Sequence, residues 1–159
     1  MQQGMASSAD AELILKLYEL RTETVMRQAR AWITGEFWPR SADEFFEVQY
    51  DAGSQRNCWL RQVVTYWEMA ASLVLHGALS SELFVDCNPE PFFILAKLAP
   101  ILPQIHEKMP TYFSKTLQLV ENSPAASTAW RSAEPSLENR CFTASPMPPR
   151  SLSGILFRS

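Results

Sequence analysis

The sequence predicts an all-α protein: a single irregular bundle of five to seven helices with a disordered C-terminal tail. Three observations lead there. Apolar residues recur at three- and four-residue spacings over most of the first 122 positions. No segment alternates in twos with β-branched enrichment, as strands do. Composition also breaks near Asn122, after which the last 37 residues hold eight Ser and five Pro. Such a segment buries too little apolar surface to offset its ordering entropy, so it reads as a mobile tail. The expected organisation is a flexible N-terminus over 1–9, a helical domain over 10–122 and a Ser/Pro-rich tail over 123–159.

Each element has a local reason. A first helix starts at a cap among Ser7, Ser8 and Asp10, runs through Leu13, Leu17, Val25, Ala29 and Trp32, and ends at Gly35 and Pro39. Ser41-Ala42-Asp43-Glu44 has the form of a capping box and opens a short helix through Phe45, Phe46 and Tyr50, stopped by Asp51-Ala52-Gly53. A long helix follows from about Gln55 to His76, with Gly77 in the position where a left-handed residue closes a helix. Ser80 or Ser81 caps a short helix through Leu83 and Phe84, and Pro91 opens another containing Phe92, Leu95 and Leu98. Pro100 and Pro103 kink or split that helix, and a last one covers Thr111 to Val120.

Bulk properties narrow the function classes. Hydrophobic residues make up 47% and charged residues 19%, enough apolar material for a core. The formal net charge is −3, without the basic excess that marks nucleic-acid binders. Residues 1–122 carry ten basic against fifteen acidic side chains, and the tail four against two. Cys58, Cys87 and Cys141 are far apart and form no Cys-x-x-Cys, so reduced thiols in the cytoplasm are expected. No signal peptide and no membrane span is expected. With two histidines and no ligand-pair spacing, no metal and no cofactor is expected. The five glycines are too scattered for a phosphate-cradling loop.

On a helical projection of the long helix, apolar residues fill a sector of roughly 200°, and Arg61, Thr65, Glu68 and Ser72 form a polar strip opposite. Glu68 and His76 stand about 80° apart around the axis and roughly 12 Å along it, so they make no joint site. His76 suits a helix end, where a positive charge complements the dipole. Glu68 is read as one half of a semi-buried pair with Arg61. Arg21, Arg27, Arg30 and Arg40 interleave with Glu19, Glu23 and Glu36 and read as a solvated salt-bridge face. Residues 42–63 have the outline of a helix-turn-helix with Gln55, Arg56 and Asn57 at the start of the second helix. Asp43, Glu44, Glu47 and Asp51 in the first helix would repel phosphates, so nucleic acid is not the expected partner.

The order Val64-x-x-Trp67-Glu68, then Leu73-Val74 and Gly77, then Leu83-Phe84, and later Phe92-Phe93 with Leu98-x-Pro100-Ile101, resembles an uncharacterised family of small helical bacterial proteins. The resemblance covers about residues 64–105 and implies an all-α fold and a bacterial source. It brings no activity with it. The leading expectation is a non-enzymatic helical module that self-associates or binds a protein partner, because Phe37-Trp38, Phe45-Phe46 and Phe92-Phe93 offer more aromatic surface than one small core need hide. Two alternatives stand beside it. One is an enzyme or small-ligand binder with a polar pocket around Glu68 and Arg61, joined by Tyr66 and His106. The other is a weak helix-turn-helix-like DNA binder. No catalytic residue is assigned; Arg61, Thr65, Glu68 and Ser72 are the candidate binding strip.

Overall fold

The computed structural model describes the backbone of residues 6–141 and the side chains of residues 6–133. Among the described residues there are nine helices and no strand. They are α1 (Ser8–Thr22), α2 (Thr24–Gly35), α3 (Ala42–Tyr50), α4 (Gln55–Leu75), α5 (Ser81–Cys87), α6 (Glu90–Leu98), α7 (Leu102–Lys108), α8 (Ser114–Asn122) and α9 (Pro124–Cys141). The all-α class holds; the count of five to seven does not, for two reasons.

The first is Glu23. The sequence reads as one helix from Ser8 to Gly35, but Glu23 adopts an extended ψ of 145° and divides it. Its own carboxylate accepts from the amides of Val25 and Met26, so it stops one helix and caps the next. The second is α9. Ser123 caps it, its hydroxyl accepting from the Ala126 amide, and Pro124 takes the first helical position. Ala126 and Trp130 are buried, and α9 packs on α5, α6 and α8. The compositional break at Asn122 therefore falls between two helices and not at the edge of the packed body. The first five residues and those after 141, including the apolar Gly154–Phe157, lie outside the described residues.

The other boundaries follow their local chemistry. Ser7 and Asp10 form a reciprocal capping box for α1, and Asp10 also accepts from the Ser80 amide at the start of α5. The carboxyl of Asp10 is held below its ordinary range by these bonds, those from Ser7 first. At α3 the box is half formed: the Ser41 hydroxyl accepts from Glu44, while the Glu44 carboxylate turns to the Arg40 amide. Proline then separates α6 from α7, as expected.

At about 31 Å long, α4 is the central element, packed by α2, α3, α5 and α8. Its buried side chains include Leu60, Val63, Trp67, Ala70 and Val74. Trp67 meets Phe84 edge-on, and Phe84 meets Phe92. Phe37, Phe45, Phe46 and Phe92 are buried as well, so most of the aromatic pairs belong to one core. Gly77 closes α4 at φ +73°, with Ala78 N–H bonded to the Leu73 carbonyl and Gly77 N–H to that of Val74. A Cβ at position 77 would meet no neighbour within 4 Å, so only the backbone conformation resists a side chain there. Gly77→Ala should lower stability by about 1 kcal/mol, read as a shift of the urea midpoint at constant m-value.

Candidate functional site

The four strip residues share one face of α4 but do not converge. Arg61 and Thr65 are exposed, and the Thr65 hydroxyl donates to the Arg61 carbonyl at 2.7 Å. Ser72 gives its carbonyl to His76 Nδ1 at 2.9 Å, at the exposed end of the helix. Glu68 reaches away from all three. Its Oε2 accepts from the Lys115 amide at 2.9 Å, and its Oε1 from the Thr116 amide at 2.8 Å and the Thr116 hydroxyl at 2.9 Å.

That arrangement has a cause in α8. Its N-cap position holds Phe113, in the left-handed region at φ 55°, with no polar side chain to receive the free amides of the first turn. The ring of Phe113 is fully buried, and His106 Nε2 donates to the neighbouring Tyr112 carbonyl at 2.8 Å. Glu68 supplies from α4 the acceptor that the local sequence lacks, and its negative charge sits at the positive end of the α8 dipole. The expected Arg61–Glu68 pair is not formed. Tyr66 is likewise committed elsewhere, its hydroxyl donating to the Leu17 carbonyl at 2.6 Å, and burial pushes its pKa up to about 12. Asn57, which a DNA-reading helix would expose, is buried and donates to the carbonyls of Val48 and Gln49.

A second polar assembly, not singled out by sequence reasoning, joins α2, α4 and α6. The side chains of Arg30 and Glu90 are 23% and 13% exposed. Arg30 Nε lies 2.9 Å from both Glu90 oxygens, Nη2 donates to Oε2 at 2.6 Å, and Trp67 Nε1 donates to Oε1 at 3.0 Å. The Glu90 bonds hold the Arg30 pKa above its usual value. Arg30 Nη1 reaches the Arg21 carbonyl, and Arg21 Nη1 donates to Asn88 Oδ1, both at 3.2 Å. Around these groups opens a cleft of about 480 Å³ lined by Arg21, Arg30, Thr34, Cys87, Pro89, Glu90 and Phe93. The interleaving of Arg and Glu along α1 and α2 concealed it, since the carboxylate that matters is 60 residues from Arg30.

Lys97 is the third unexpected group. It is 6% exposed, its Nζ donates to the Ile33 carbonyl in the last turns of α2, and it lies 4.9 Å from the Trp38 ring centre and 5.6 Å from that of Phe93. Burial lowers its pKa to about 7. Among the described residues no three His, Cys, Asp or Glu side chains are grouped to hold a metal, and no helix is long and apolar enough to cross a membrane.

A family model described as a domain of unknown function (DUF4760) matches residues 6–123. The chain belongs to the DUF4760 family. The match runs from just before α1 to the Ser123 cap, well beyond the stretch around α4 to α7 that carries the sequence resemblance. Neither curated proteins nor solved structures yield a match. In DUF4760 terms, the matched span holds Glu68, the Arg30–Glu90 pair and the cleft, whereas all of α9 lies beyond it.

Proposed function

We propose that this DUF4760 chain is a non-enzymatic interaction module that pairs with a second copy of itself through the outer face of α1. The observation that carries this reading is the distribution of apolar side chains on that helix. Leu17 is buried in the core, while Leu15 is 68% and Tyr18 56% exposed. Ala11, Leu15, Tyr18 and Thr22 follow one another at spacings of four, three and four, the seam of a helix that packs against another helix. Apolar side chains on both sides of a peripheral helix favour burial against a partner. The aromatic pairs that first suggested an interface are mostly inside, so the outward apolar surface of α1 replaces them as the contact.

The seam is only about two heptads long, so the pairing is weak and concentration-dependent. The same reading places the chain in a bacterial cytoplasm, supported by the family resemblance and by Cys58 and Cys87, which are free thiols. Sedimentation or light scattering from micromolar to millimolar protein should show the mass rising towards that of a dimer. Leu15→Glu, at an exposed position, should hold the chain monomeric with its thermal midpoint unchanged. A native chain that stays monomeric over that range sinks the proposal, as does a Leu15→Glu chain that still dimerises.

A further inference from the structure

The cleft beside the Arg30–Glu90 pair is lined by two guanidinium groups and one carboxylate. We propose that it is a binding site for a small organic monocarboxylate, with Arg21 as the group that takes the carboxylate. The inference does not rest on the self-association reading, because a monomer contains the whole cleft.

Charge decides the ligand class. Arg21 and Arg30 line the cleft with two positive charges and Glu90 with one negative charge. Arg30 is matched to Glu90 by three nitrogen–oxygen contacts of 2.6 to 2.9 Å. Arg21 has no carboxylate partner among the described residues, so one positive charge is left over. A monoanion neutralises it, whereas a phosphate dianion would leave excess negative charge beside Glu90.

Arg21 is also held in place. Its Nη1 donates to Asn88 Oδ1, and Asn88 is itself 2% exposed and fixed by Nδ2 donating to the Phe84 carbonyl. The guanidinium lies 4.9 Å over the Tyr18 ring. Of its five N–H donors, only one has a protein acceptor among the described residues, which leaves part of its planar fork for a carboxylate. Phe93 and Pro89 give the cleft an apolar wall for the body of the ligand. At about 480 Å³ and open to solvent, the cleft has room for a molecule of benzoate size.

Benzoate is the probe, with benzamide as its neutral analogue and inorganic phosphate as the alternative anion, each titrated at constant ionic strength against the ¹⁵N-labelled full chain. Benzoate should shift the amides of Arg21, Asn88, Glu90 and Phe93 saturably, with a dissociation constant of about a millimolar for so small and open a complex. Benzamide should produce no comparable shifts. Arg21→Gln should weaken benzoate about tenfold, with a modestly lower thermal midpoint because the buried Asn88 Oδ1 loses its donor, and Arg21→Lys, which keeps the charge without the fork, should fall between in benzoate affinity. No saturable benzoate shift, equal binding of benzamide or phosphate, or undiminished binding by Arg21→Gln would each overturn the assignment.

Discussion

Replacing Lys97 by methionine is expected to flatten a rise in stability that the native chain shows between about pH 7 and pH 10. In the unfolded chain the amine keeps its proton up to its ordinary value of 10.5, whereas in the fold burial lowers that value to about 7. Between the two, the unfolded state binds the extra proton, so acidification favours unfolding and stability climbs with pH. The slope approaches 1.4 kcal/mol per pH unit, and the whole swing is on the order of 4 kcal/mol. The Trp38 and Phe93 rings and the Ile33 carbonyl favour the ammonium form but do not offset its desolvation. Above about pH 10 the trend reverses, because Tyr66 and Tyr112 are pushed above their ordinary value by burial and ionise first in the unfolded chain. Methionine fills similar space without a charge. It should make the chain more stable than native at pH 6.5 by about 1 to 3 kcal/mol, the Ile33 carbonyl losing its donor in exchange. Urea titrations of both chains at pH 6.5, 8 and 9.5 test this. Parallel pH profiles would show that Lys97 keeps an ordinary proton affinity.

The second large effect belongs to Glu68. Glu68→Ala is expected to lower stability by about 2 to 3 kcal/mol, because two backbone amides and a hydroxyl lose their acceptor at the start of α8. Glu68→Gln, which keeps one carbonyl oxygen but no charge, should lower it by about half as much. Hydrogen exchange at Lys115 and Thr116 separates a cap from a general packing role. In Glu68→Ala those amides should exchange faster relative to amides in the middle of α8. A loss below about 0.5 kcal/mol, as for an ordinary surface change, would mean that water caps α8 equally well.

These two residues also mark how far the amino-acid order could be read. Features fixed within four residues were legible: the serine cap at position 41, the serine caps placed among Ser7 and Ser8 and at Ser80 or Ser81, the Gly77 closure and the apolar sector of α4. Glu68 could be singled out as unusual, yet its partners lie 47 and 48 residues away on a helix whose own cap position is a phenylalanine. Arg30 and Glu90 failed for the same reason, each having its partner 60 residues away on another helix. In α9 composition outweighed pattern. Ser123-Pro124 is a cap followed by a first-position proline, and Ala126, Trp130 and Ala133 repeat at helical spacing. Surrounded by serine and proline, those signals read as a turn at the start of a tail.

The position of α9 has a consequence for how the body can be divided. The family match ends at residue 123, one residue before the helix that covers α5, α6 and α8. A protein cut at that natural-looking boundary would keep Glu68, the Arg30–Glu90 pair and the cleft, yet would turn the surface now under Trp130 towards water. Such a truncated chain should aggregate more readily than the full chain, which light scattering would show. The last helix thus covers apolar surface of the unit that the family model matches.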